Sequence, residues 1–141
     1  GRPPVADIVT ERGTITIVLF GADAPITVDN FASLARRGYY RGTRFHRVVP
    51  NFVAQDGDPE GDGNGGPGYA IRDEFNRRRY GRGAVGMALS GEDTGGSQYF
   101  ITHAPQPHLD GHYTVFGQVT TGWEALDRLV QGDRILEVRI R

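Results

Sequence analysis

Glycine and proline interrupt this chain so often that no long element can run without a break. The 21 glycines and 8 prolines make up about a fifth of the 141 residues, short of the roughly 25 to 30% that marks disorder. Between them lie apolar runs of strand length. Val5 to Thr10 and Thr14 to Phe20 are β-branched runs separated by Glu11-Arg12-Gly13, which predicts a hairpin. After Ala24-Pro25-Ile26-Thr27, the spacing of Val28, Phe31, Ala32, Leu34 and Ala35 predicts a helix stopped at Gly38. Thr43 to Val49 and Phe52 to Gln55 read as extended on either side of a Pro50-Asn51 turn, and Asp56 to Gly68 as a glycine-rich loop. Further strands are predicted at Tyr69 to Ile71, Ala84 to Leu89, Gln98 to Thr102, Tyr113 to Val119 and Ile135 to Ile140, with a second helix at Trp123 to Val130. Many strands and two helices that do not alternate with them favour an antiparallel barrel or sandwich over a βαβ sheet.

Length places the chain at one domain, residues 1–141, able to hold a core unaided. With no cysteine, disulfides, thiolate metal sites and cysteine nucleophiles are excluded, and the redox compartment stays open. No apolar run approaches a membrane span, so a soluble protein is expected, cytoplasmic or periplasmic or secreted. A net charge of -1 argues against binding nucleic acid through phosphate neutralisation. All 16 basic residues are arginine. The chain opens Gly1-Arg2-Pro3-Pro4 without methionine, which is expected of a processed form or a piece of a longer protein.

Several motifs fail on physical grounds. Gly61-Asp62-Gly63-Asn64-Gly65-Gly66 fits a dinucleotide pattern, but Pro67 to Ile71 looks extended where a helix must open to hold the pyrophosphate. Asp56, Asp58, Glu60, Asp62 and Asn64 alternate like a calcium loop, yet the twelfth position is Pro67 instead of a bidentate Glu, so a solvated acidic loop is the expectation. His103, His108 and His112 lack a helical frame between Pro105, Pro107 and Gly111, so no metal site is expected. Ser97 has no nucleophile-elbow context, and Arg77 to Arg82 reads as a solvated basic loop.

Phe45 to Gln55 is the informative segment, because Arg47 and Gln55 interrupt otherwise core-like strands. On a strand, residues 45, 47 and 49 share one face, and 53 and 55 share one face beyond the turn, so Arg47 and Gln55 can point the same way across it. An arginine fork beside an apolar patch suits recognition of a carbonyl, while the bland alternative is an arginine snorkelling at a barrel edge.

In these residues the sequence resembles the cyclophilins, the cyclosporin-binding peptidyl-prolyl cis-trans isomerases. The resemblance runs through Thr16 to Leu19, Ala24 to Phe31, FHRVVPNFVAQDGDPEGDGNGGPGY (45 to 69), GAVGMALSGEDTGGSQYFIT (83 to 102) and LDGHYTVFGQV (109 to 119), and the GDGNGGPGY form and short loops look like compact bacterial members. It implies a closed eight-stranded antiparallel β-barrel capped by two α-helices, a groove on its outer face, and isomerisation of Xaa-Pro bonds in folding proteins without metal or cofactor. It implies that Arg47, Gln55 and Phe52 are catalytic, and that His46, Val53, Ala88, Leu89, Ser90, Gln98, Phe100, His108, Leu109 and Tyr113 bind substrate. Val53 stands where the best-known members have Met, Tyr113 where they have His, and Leu89 where they have a polar residue whose backbone does the pairing. His108 replaces a tryptophan that contacts cyclosporin, so lowered drug affinity is expected. The implied partners are proline-containing peptides and folding proteins, with the chain a monomer. The alternative is a module or chaperone that holds proline segments without turning them over.

Overall fold

The computed structural model describes residues 2–141. The first hairpin forms as expected from β1 (Val5–Thr10) and β2 (Gly13–Leu19), and its register sets Ile8 opposite Ile15 and Ala6 opposite Ile17. Those four side chains and Leu19 are fully buried. Then follow α1 (Pro25–Arg36), β3 (Arg47–Val49), β4 (Val53–Asp56), β5 (Ala84–Met87), β6 (Tyr99–Thr102), a 3-10 turn (Pro107–Leu109), β7 (Val115–Thr121), α2 (Trp123–Arg128) and β8 (Ile135–Ile140).

The eight strands make one antiparallel sheet in the order β3-β4-β6-β5-β7-β2-β1-β8. Its two edges share no ladder, so the closed barrel implied by the resemblance is instead an open half-barrel with two helices. The chain ahead of β3 touches the chain leading into β8 through the single bridge Arg44–Arg134 and backbone bonds such as Phe45 N–H to Asp133 O at 2.9 Å. β3 is three residues long and ends at the Pro50-Asn51 turn, too short to run on beside β8.

Other strands are shorter than the apolar runs predict. Tyr69 to Ile71 is no strand, since Ile71 makes only an isolated bridge to Gly95. The run from Thr43 narrows to β3, and α2 stops at Arg128 because Leu129 turns extended and the Val130 N–H goes to the Asp133 carboxylate.

Helix α1 starts with proline at its first turn but without a side-chain cap from its own N-cap residue, Ala24. Glu74 supplies one instead, accepting from Ile26 N–H at 3.1 Å and Thr27 N–H at 2.6 Å and placing negative charge at the positive end of the helix dipole. The helix buries Val28, Phe31, Leu34 and Ala35. Phe31 packs against Tyr40, Tyr99 and Phe116 at centroid distances of 5.3 to 5.4 Å, the centre of the core within the sheet's curl.

Candidate active site

Strand alternation builds the outer face. Ala54, Val85 and Ile101 face the core, so their neighbours Val53, Gln55, Ala84 and Phe100 face outward. Arg47 pairs with Gln55 across β3 and β4, and Gln55 with Phe100 across β4 and β6, so the three stand in one row. The expected sharing of a face by 45 and 47 fails, because Phe45 is in the core and β3 begins only at Arg47.

A cavity of about 70 Å³ opens over this row, lined by Arg47, Phe52, Val53, Gln55, Phe100, Leu109 and Tyr113. That is room for roughly five to seven waters, the scale of a five-membered ring. The Arg47 guanidinium lies 5.5 Å from the centre of the Phe52 ring, and no ion pair or hydrogen bond ties it down among the described residues. Phe100 meets Tyr113 edge-on at 5.8 Å, which makes two walls of the pocket aromatic.

Gln55 also borders a larger cavity of about 360 Å³, together with Ala88, Leu89, Ser90 and Gln98. Gln55 Nε2 donates to Gln98 Oε1 at 3.0 Å, and Gln98 Nε2 donates to the carbonyls of Gly63 and Gly65, so the two cavities are joined by a fixed amide chain. The Ala88 N–H is taken by Gln98 O and the Ser90 N–H by Thr94 Oγ1. Leu89 is thus the residue of this segment whose N–H remains, among the described residues, for a bound strand.

Two expected site residues lie elsewhere. His46 lines neither cavity, and both its ring nitrogens are buried without a partner beside the Gly63 turn. His108 also lines neither, its ring lying 5.9 Å from that of Phe52 as an outer rim.

Tyr80 and Asp110 are residues that sequence reasoning missed. Tyr80 is 2% exposed and stacks beneath Phe100 at 5.5 Å, and its hydroxyl donates to the Tyr113 carbonyl at 3.0 Å. Its N–H donates to the Asp110 carboxylate at 2.7 Å, and its carbonyl receives the Gln106 N–H. One side chain therefore fixes the Phe100 wall and the Leu109 to Tyr113 wall together. Gly86 makes room for it, since a Cβ there would lie 2.2 Å from the Tyr80 hydroxyl and 2.5 Å from Phe100 Cζ. Burial pushes the Tyr80 phenol well above its usual range, which keeps it a donor.

The remaining motifs resolve into structure. Asp58, Glu60 and Asp62 form the acidic group closest to a metal-ligand arrangement among the described residues. Burial opposes ionisation of Asp58, but the N–H groups of Glu60, Gly65, Gly63 and Asp62 outweigh it and bring the carboxyl down to about 2. Both its oxygens are thus occupied in shaping the loop. Ser97 is buried, donating to Gly57 O. The basic run is partly structural, with Arg78 3.5 Å from the Phe20 ring centre and paired to Asp23, and Arg82 paired to Asp127.

Comparison with known proteins identifies the family. The family described as "Cyclophilin type peptidyl-prolyl cis-trans isomerase/CLD" matches residues 5–141. A peptidyl-prolyl cis-trans isomerase of Synechococcus elongatus is 50% identical over 137 residues, covering 96% of this chain and 94% of that one. Peptidyl-prolyl cis-trans isomerase B of Bacillus subtilis is 49% identical, covering 94% of each. A crystal structure of a Cryptosporidium parvum cyclophilin-type isomerase superposes with a TM-score of 0.93 at 32% identity over 99% of this chain and 98% of that one. The same protein crystallised in the presence of the dipeptide Ala-Pro gives 0.92. In sequence over nearly its whole length, and in fold, the chain belongs to the cyclophilin-type peptidyl-prolyl cis-trans isomerases.

Proposed function

We propose that the chain accelerates rotation about Xaa-Pro bonds, with the proline ring seated in the 70 Å³ pocket and Arg47 as the group that acts on the twisting amide. The observation that carries this reading is an untethered guanidinium at the edge of a ring-sized, aromatic-walled pocket. Rotation crosses a barrier of roughly 18 to 20 kcal/mol with no bond broken, so no nucleophile, metal or cofactor is needed. An acceleration on the order of 10⁵ requires about 7 kcal/mol of preferential transition-state binding.

As the amide twists, conjugation is lost and the nitrogen regains its lone pair. Phe52, Val53, Phe100, Leu109 and Tyr113 hold the ring. Arg47 donates to the prolyl carbonyl and, in the twisted state, towards that nitrogen. Covering by the substrate removes water from the guanidinium and strengthens the donor. Gln55 orients the backbone, Leu89 between Ala88 and Ser90 pairs with the chain ahead of the proline, and Gln98 braces the junction between the two cavities. His108 contributes at the rim, with weakened cyclosporin binding, and His46 supports the loop beside β3. The substrates are proline-containing segments of folding proteins, and 1–141 acts as a single monomeric domain.

The test is exchange NMR between cis and trans signals of a short Ala-Pro peptide with the parent protein and with Arg47→Ala. Accelerated exchange that falls by about 10² to 10³ in the variant is expected, with the fold retained. Peptide shifts without accelerated exchange in the parent would instead make this a proline-binding module.

A further inference from the structure

A third cavity, of about 500 Å³, shares Tyr113 with the small pocket and Leu89 with the larger one, so it continues the candidate site. Its rim carries Phe75, an aromatic ring left 50% exposed. The residues on either side hold Phe75 in place. The Glu74 carboxylate is spent on the start of α1 and its N–H donates to Thr114 Oγ1 at 2.9 Å, while Asn76 Nδ2 donates to Val115 O at 3.0 Å. The Phe75 backbone therefore cannot move away from the cavity without breaking both anchorages.

The facing wall is equally fixed. Asp73 N–H donates to Asp93 Oδ1 and Asp93 N–H to Asp73 Oδ2, each at 2.9 Å, locking the 73 and 93 loops together. Asp73 keeps one buried carboxylate oxygen without a partner, and Glu92 stands exposed on the same cavity. Against these two carboxylates, only His112 among the lining residues is able to turn positive. An aromatic face, an apolar floor of Leu89 and Tyr113, and an acidic side match a long aliphatic stem ending in a cation.

We propose that this cavity is a specificity subsite that receives an arginine or lysine side chain of the substrate, close in sequence to the proline, while the proline occupies the pocket on Arg47. The inference rests on the isomerase reading above and deepens it. Cation–π attraction and an exposed ion pair are individually modest, so the subsite tunes substrate choice and leaves rotation itself to Arg47.

The test uses Ala-Pro peptides carrying arginine, or its neutral isostere citrulline, in turn at each of three positions on either side of the proline. KM and kcat are read by exchange NMR at low salt. At one position arginine lowers KM threefold to tenfold against citrulline at equal kcat. That ratio falls to one in Phe75→Ala and in Glu92→Gln, and survives in Glu60→Gln, a charge control outside the cavity. A ratio of one at every position in the parent overturns the subsite, as does a ratio that persists in either Phe75→Ala or Glu92→Gln. If no peptide exchanges faster with the parent, the isomerase reading fails instead, and the arginine preference is still measured as a Kd ratio by shift titration.

Discussion

Alternate residues of β4, β5 and β6 supply two packed clusters, one inside the curl of the sheet and one on its outer face. The inner cluster is sealed, with Ala54, Val85, Tyr99, Ile101 and Phe116 at essentially zero exposure. The outer one, around Val53, Tyr80, Phe100 and Leu109, is left half-covered by Phe52, Ala88 and Tyr113. Sealing the outer cluster would bury Arg47 and Gln55, which stand in the same row. Stability and recognition thus differ by one residue of strand register, and a slip of one position would exchange the two faces.

The largest expected effect breaks the inner cluster alone. Phe116→Ala should lower the unfolding free energy by about 3 to 5 kcal/mol, measured by urea denaturation, while the remaining folded protein keeps its turnover. A loss below about 1 kcal/mol would place the fold's stability elsewhere.

Asp56 is a buried carboxylic acid set against the sealed cluster. It faces the core, fully buried, and accepts from the Tyr99 hydroxyl at 2.7 Å. Burial pushes its carboxyl up to about 6, against the Tyr99 bond that favours the charge, and its other oxygen is buried without a partner. The folded state therefore holds this proton more tightly than the unfolded chain. The cost of ionising it is absent below about pH 4, grows as pH rises to about 6 and is complete above. Asp56→Asn should raise stability at pH 8 by on the order of 2 to 3 kcal/mol and change little at pH 4, read as Tm against pH. An equal gain at both pH values would mean the effect is packing and not charge. Asp58, held down near 2, acts oppositely, its contribution being lost as pH falls from about 4 towards 2 in both proteins.

The smallest effect sharpens the outer cluster. Tyr80→Phe keeps the stack on Phe100 but removes the bond to the Tyr113 carbonyl. It should cost about 1 kcal/mol of stability and raise KM for an Ala-Pro peptide more than it lowers kcat. A change in kcat alone would mean that Tyr80 acts on rotation and not on pocket shape.

The alternating apolar runs already gave the first hairpin, both helices and the β3–β4 turn that sets Arg47 against Gln55. What they could not give depends on partners distant in the chain. Tyr69 to Ile71 has strand-like composition but finds only one bridging residue, Gly95. Tyr80 looked like part of a basic loop, and its role arises from contacts with Phe100, Asp110 and Tyr113. The conspicuous absence of a side chain at Gly86, in an otherwise apolar strand, was the available signal that something large packs there. Family resemblance gathered the pocket residues, but it placed His46 and His108 in a groove whose cavities they do not line.

The cap that Glu74 places on α1 also has a temporal consequence. Ile26 and Thr27 find their carboxylate 48 and 47 residues further along the chain. At roughly 5 to 20 residues per second of synthesis, the helix is made several seconds before its cap exists, and a segment of that length is marginal alone in water. The start of α1 is therefore secured only when the loop carrying Glu74 docks, so the helix and that loop should gain hydrogen-exchange protection together, as one late-forming unit.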